Sequence, residues 1–176
     1  ASSAALAVIP TLSFATRSDI SAEIITDASC KDGEMFANFF ATRSVNPGCD
    51  PLVFLQELHA LVDDDGPERV FGLTSSSNRF LVEQTLAPLG FRRTYWGEHN
   101  YARDRLYHQF GGASPSLRKI ATDVCDAQGN WAACIAGSLE QLVSGETVRR
   151  QVSVQVELQR PTNSTGFLCS WLLERA

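Results

Sequence analysis

The sequence predicts an α+β fold in which helices pack on a mostly antiparallel sheet. Three observations carry that expectation. Leu52, Leu55, Leu58, Leu61 and Val62 recur at helical spacing and so share one helix face. Residues 150–158 (RQVSVQVEL) alternate polar and apolar side chains, the period of a strand with one buried face. Glycine and proline breakers separate the segments, the clearest being Gly111-Gly112-Ala113-Ser114-Pro115. With 176 residues, 44% of them hydrophobic and 20% charged, the chain suits a single domain, 1–176, with a substantial core. The breaker at 111–115 is where it would divide into a helical half and a β-rich half.

Residues 18–26 turn β-branched and read as a strand, and Asp32-Gly33 opens a helix over 34–40 that carries Phe36, Phe39 and Phe40. Asn46-Pro47-Gly48 is a turn, Asp50 a helix cap and Pro51 the first helical residue. That helix ends at Asp63-Asp64-Asp65-Gly66-Pro67, a run lacking the Asn and Gly spacing of a calcium loop and read as solvated. Residues 68–73 (ERVFGL) form a short buried strand, and Thr74 to Asn78 offer caps for a helix over 79–89. Its expected apolar face is Phe80, Leu81, Thr85 and Leu86, and Gly90 closes it. Residues 91–110 are expected as two extended segments turning near Gly97. Residues 119–126 and 131–137 flank Ala127-Gln128-Gly129-Asn130 as a hairpin, followed by a short helix over 138–143. The strand over 150–158, a turn over 161–166 and a last strand over 166–173 complete the chain.

Composition excludes several functions. A net charge of −5 argues against a general nucleic-acid or membrane-surface binder. The apolar run Ala4 to Pro10 is too short to span a membrane. Five widely spaced cysteines without a CxxC pair make neither a disulfide framework nor a zinc site, which points to mostly buried thiols in a reducing, cytoplasmic setting. Asn163-Ser164-Thr165 matches a glycosylation sequon, but nothing else indicates secretion. The three histidines, His59, His99 and His108, lack metal-ligand spacing, so no metal is expected.

Residues 91–110 (FRRTYWGEHNYARDRLYHQF) stand apart. They hold every tyrosine of the chain, Trp96, His99, His108 and four of the thirteen arginines. An extended backbone puts Tyr95, Gly97, His99, Tyr101 and Arg103 on one face. Hydrogen-bonding groups beside arginine suit a phosphate or carboxylate, which makes Tyr95, His99 and Tyr101 the candidate catalytic residues. The competing reading is a sheet surface of stacked Tyr and Arg. His59, in the helix after Pro51, reads as a half-exposed helix residue ahead of a general base. No GxSxG, HExxH or glycine-rich phosphate loop is present.

The stretch Arg43 to Trp96 resembles the second half of a GCN5-related N-acetyltransferase domain. The Asn46-Pro47-Gly48 turn, the helix after Pro51, the strand 69–73, Asn78 and Gly90-Phe91 carry the likeness. The resemblance implies an acyl-CoA site with Gly48 and Cys49 at the helix start, Arg43 and Asn78 nearby, and Arg92, Arg93, Tyr95, His99 and Tyr101 shaping the acceptor side. The family's phosphate loop is reduced to Gly48, and Leu86 stands where a tyrosine often serves as general acid, which implies a degenerate site. Phe39-Phe40 followed by Val45-Asn46-Pro47-Gly48-Cys49 is similar to the hot-dog acyl-thioester enzymes, yet Ala41-Thr42-Arg43-Ser44 holds no catalytic histidine. The first expectation is therefore an acetyltransferase-like domain binding an acyl-CoA or related thioester as co-substrate, with no covalently held cofactor. The second is a non-catalytic interaction or structural subunit of a larger assembly. It would grip a protein partner with the aromatic–arginine patch 91–110 and is open to oligomerisation.

Overall fold

The computed structural model describes residues 22–40, 44–48, 50–61, 66–102, 105–113, 116–127, 129–142, 149–157 and 166–176. The acidic run 63–65, residues 18–21 of the expected first strand, and the 163–165 sequon lie outside these residues. Strands β1 (Ala22–Thr26), β2 (Ser44–Val45), β3 (Arg69–Thr74), β4 (Phe91–Ala102), β5 (Arg105–Ala113), β6 (Arg149–Glu157) and β7 (Phe167–Arg175) form one sheet. Its order is β2-β1-β3-β7-β4-β5-β6. β1 runs parallel to β2 and β3, and every other pairing is antiparallel. β7, from the end of the chain, lies between β3 and β4, so one sheet joins both halves of the sequence.

Helices cover the sheet in two layers. α1 (Lys31–Phe40), α4 (Ser116–Asp126) and α5 (Trp131–Glu140) pack one face, where Phe36, Ile120, Val124, Trp131 and Ile135 meet Phe71, Tyr95, Phe110 and Leu172. α2 (Pro51–Leu61) and α3 (Ser76–Leu86) pack the other, where Phe54, Leu58, Val82 and Leu86 meet Ile25, Val70, Cys169 and Trp171. Crossover handedness explains the division. α2 and α3 carry the chain the same way across the sheet, from β2 to β3 and from β3 to β4. α1 carries it the opposite way, from β1 to β2. Right-handed crossovers that move in opposite directions must lie on opposite faces. Among the described residues no part of β5 or β6 joins the α2–α3 core, so that face of the sheet is open there.

Local signals set most boundaries. The Asp50 carboxylate accepts from Leu52 N (2.9 Å) and Val53 N (3.4 Å), and Pro51 follows it as the first helical residue. Ser75 Oγ accepts from Asn78 N (3.3 Å), so α3 starts earlier than expected, and a 3-10 turn over Ala87–Leu89 leads to Gly90. Val82 and Leu86 face the core of α3, whereas Phe80 points outward with 62% of its surface exposed. Two expectations are corrected. Residues 119–137 are not a hairpin but α4 and α5. Leu117, Ile120, Ala121 and Val124, then Trp131, Ala132, Ile135, Ala136 and Leu139, bury one face of each helix. Likewise β4 does not turn at Gly97; it runs unbroken through it to Ala102. Among the described residues no helix is long and apolar enough to cross a membrane.

Trp171 at the centre of β7 lies across β3, where Gly72 leaves room: a Cβ on Gly72 would come within 2.0 Å of the indole. The indole N–H donates to Thr74 Oγ1 (3.1 Å). Gly72→Ala should therefore cost about 1–3 kcal/mol of stability through forced repacking. Gly166→Ala, where no atom lies within 4 Å of an added Cβ, is the control. Equal urea midpoints for the two variants would contradict this packing.

Candidate functional site

Strand alternation places Tyr95, Gly97 and His99 inward on β4 and Leu106, His108 and Phe110 inward on β5, all beneath the α1–α4–α5 layer. Gly97 sits against Ser170 of β7; an added Cβ would fall 2.4 Å from Ser170 Oγ and 2.9 Å from the Tyr95 hydroxyl. The space it leaves holds a continuous polar chain. Tyr95 Oη lies 3.1 Å from Ser170 Oγ, Ser170 Oγ lies 2.8 Å from His99 Nε2, and the two histidine Nδ1 atoms lie 2.7 Å apart. The Trp131 ring roofs the pair, 4.4 Å from the His99 ring and 5.2 Å from that of His108.

Counting donors orients this chain. If Tyr95 donates to Ser170, Ser170 to His99 Nε2, and His99 Nδ1–H to His108 Nδ1, only the His108 Nε2–H lacks an acceptor. The reverse order strands the Tyr95 phenol hydrogen as well as the His108 Nε2 lone pair, so the first arrangement is favoured. Both rings are neutral. Burial, reinforced by His108, drives the His99 pKa far down, and burial lowers His108 from 6.5 to about 4. Burial also raises the Tyr95 phenol. Tyr95, His99 and His108 are each at most 1% exposed, so the chain of bonds reaches no solvent at either end. It links β4, β7 and β5 in the interior of the molecule.

Tyr101, the third candidate catalytic residue, is half-buried at the end of β4. Its hydroxyl donates to Asp32 Oδ2 (2.7 Å) and accepts from Trp131 Nε1 (3.0 Å). Desolvation raises both the Asp32 carboxyl and the Tyr101 phenol. Cys30, at the start of α1, is also raised by burial, which keeps it a thiol and a poor nucleophile. Of the other described cysteines, Cys169 is buried, Cys134 half-buried and Cys125 exposed. Among the described residues no three His, Cys, Asp or Glu side chains gather as metal ligands.

The expected acyl-CoA residues lie elsewhere. Gly48, exposed and with φ of 58°, follows β2, and Asn78 lies in the first turn of α3. Arg43 and Cys49 fall outside the described residues. Gly48 leads into α2 and Asn78 lies in α3, the helices of one face, whereas Tyr95 and Tyr101 belong to the core beneath α1, α4 and α5 on the other, with His99 beside Trp131 of α5. The first α2 amides already hold the Asp50 carboxylate, leaving fewer free donors and a negative charge where a phosphate would bind. His59 is exposed on α2.

The outward half of the 91–110 cluster faces the open part of the sheet. Arg93 Nη1 pairs with Glu83 of α3 at 2.7 Å, and Arg92 Nη1 donates to the carbonyls of Ala87 (2.9 Å) and Phe91 (2.8 Å). Farther along the sheet Glu98, Asn100, Tyr107, Gln109, Ser153, Gln155 and Phe167 line a groove of about 470 Å³. Sequence reasoning missed Asp32, Trp131 and Ser170, which lie far along the chain from the residues they touch. It also missed the groove, although the alternation of Glu98 with Asn100 and of Tyr107 with Gln109 was visible.

The buried histidines make stability depend on pH. Between pH 6.5 and about 4 the unfolded chain takes up protons that folded His108 refuses, so stability falls as pH falls through this window. Each proton of difference contributes about 1.4 kcal/mol per pH unit. The raised Asp32 carboxyl acts in the opposite sense, so the comparison is with a variant that keeps it. A His99→Leu/His108→Leu chain should show a flatter fall in urea stability over this window; an unchanged slope would contradict the neutral pair. Comparison with models of known protein families, with curated proteins and with solved structures finds no match for this chain.

Proposed function

We propose that the chain is a non-catalytic interaction module that docks an extended polypeptide segment on the open face of β4, β5 and β6. The observation that carries this reading is the groove itself, lined by hydrogen-bonding side chains on a face of the sheet that no helix among the described residues covers there. Asn100, Gln109 and Gln155 each both donate and accept, matching the N–H and C=O groups of a peptide. Tyr107 and Phe167, each 41% exposed, supply rigid apolar anchors. Glu98 gives the groove its acid, which selects a segment carrying a basic residue. The buried state of Tyr95 and His99 supports a binding role over a catalytic one.

Selection of displayed random peptides against the chain tests this. Binders should share a basic residue spaced from an aromatic or aliphatic one, and Tyr107→Ala and Glu98→Gln should each weaken them about tenfold, equivalent to about 1.4 kcal/mol. Binders indifferent to both substitutions, or no binders, would overturn it.

The acyl-CoA reading keeps one supporting observation. Gly48 and Asn78 both follow the carboxyl ends of parallel strands on one face, where open α/β sheets hold ligands. Calorimetric titration with acetyl-CoA and longer acyl-CoAs decides it, and absence of heat at millimolar ligand ends it.

A further inference from the structure

We infer that two copies of this chain associate through β6, edge to edge and antiparallel, about a two-fold axis at Ser153. This goes beyond the groove reading and does not rest on it, since it uses the edge of the sheet rather than its face.

Among the described residues the two edges of the sheet differ. One ends in β2, which is two residues long, too short to template another strand. The other ends in β6, which is nine residues long. β6 pairs with β5 from Arg105↔Glu157 to Ala113↔Arg149 without a bulge, so its outer row of N–H and C=O groups is regular. Protective edges carry proline, lysine, bulges or inward charges. β6 has neither proline nor lysine, and Val152, Val154 and Val156 pack on the α1–α4–α5 core, while Arg150 at the start of the strand shares their parity.

The sequence of this edge suits its own copy. Gln151-Val152-Ser153-Val154-Gln155 reads the same in both directions. Antiparallel pairing about Ser153 sets Gln151 against Gln155 and Val152 against Val154 of the second copy. Arg149 and Glu157 then occupy paired positions at both ends. A one-residue slip would set valine against glutamine and put the apolar side of one copy on the open side of the other. Slips that keep the faces matched, about Val152 or Val154, leave residues of the strand unpaired and separate Arg149 from Glu157. The Ser153 register alone pairs all nine residues while setting glutamine against glutamine and valine against valine over 151–155; Arg150 falls opposite Val156. Such a contact is isologous, as a closed dimer requires. Ser153 and Gln155 also line the groove, so the pairing places two grooves side by side across the axis.

Light scattering on the eluted chain should give the mass of a dimer. Gln151→Lys/Gln155→Lys sets lysine against lysine at exposed positions and should give a monomer with an unchanged circular dichroism spectrum. Gln151→Glu/Gln155→Glu should do the same, and mixing the two variants should restore the dimer. Under mild oxidation Ser153→Cys should form a disulfide-linked dimer above the background set by the parent chain's own thiols. Gln151→Cys should not, because its two copies lie beyond disulfide reach. A monomeric parent chain, a dimer that survives the lysine variant, or equal crosslinking from Gln151→Cys would each overturn the inference. The cysteine pair decides the matter even where the lysine variant fails to fold.

Discussion

The hydrogen-bonded chain from Tyr95 through Ser170 and His99 to His108 holds the centre of this molecule together. It crosses β4, β7 and β5, the strands that join the parallel part of the sheet to its antiparallel part. Each member is buried, and a buried polar group without a partner costs about 1–3 kcal/mol. The bonds therefore couple the register of three strands: slipping any one of them would orphan the others. Trp131 closes over the two imidazoles and donates to Tyr101, which ties the start of α5, and through Asp32 the start of α1, to the same lock.

The lock has a consequence for function. Groups that look catalytic in a list of residue types are occupied here with one another, in their neutral forms, under a layer of helices. Handedness makes the separation complete. Because α1 crosses the sheet in the opposite direction to α2 and α3, those two helices pack on the face opposite the one beneath which the histidines lie. Among the described residues, the part of the sheet beyond α3 stays accessible, where β4, β5 and β6 present amides and a carboxylate, with an aromatic ring from β5 and another from β7.

Much of this fold was legible along the chain. Asp50-Pro51 announced α2, Ser75 capped α3, Gly90 ended the turn behind it, and the alternation of β6 was unambiguous. α4 and α5 were misread because Ala127 to Asn130 has the composition of a hairpin turn. The helical spacing of Leu117, Ile120, Ala121 and Val124 on one side, and of Trp131, Ile135 and Leu139 on the other, carried the better signal. A turn-rich linker joins two helices as readily as two strands, so composition alone could not decide between them.

By itself the sequence determined what is local: which residues share a face, where helices begin, and that Tyr95, His99 and Tyr101 point the same way. Only the tertiary structure decided that this shared face is the covered one. His99 meets Ser170 across 71 positions of sequence, and Tyr95 meets it across 75. No periodicity within a window of residues encodes such contacts. They follow from strand order and crossover handedness, which are properties of the whole chain, and these determine which side of an alternating strand is buried and which is left exposed.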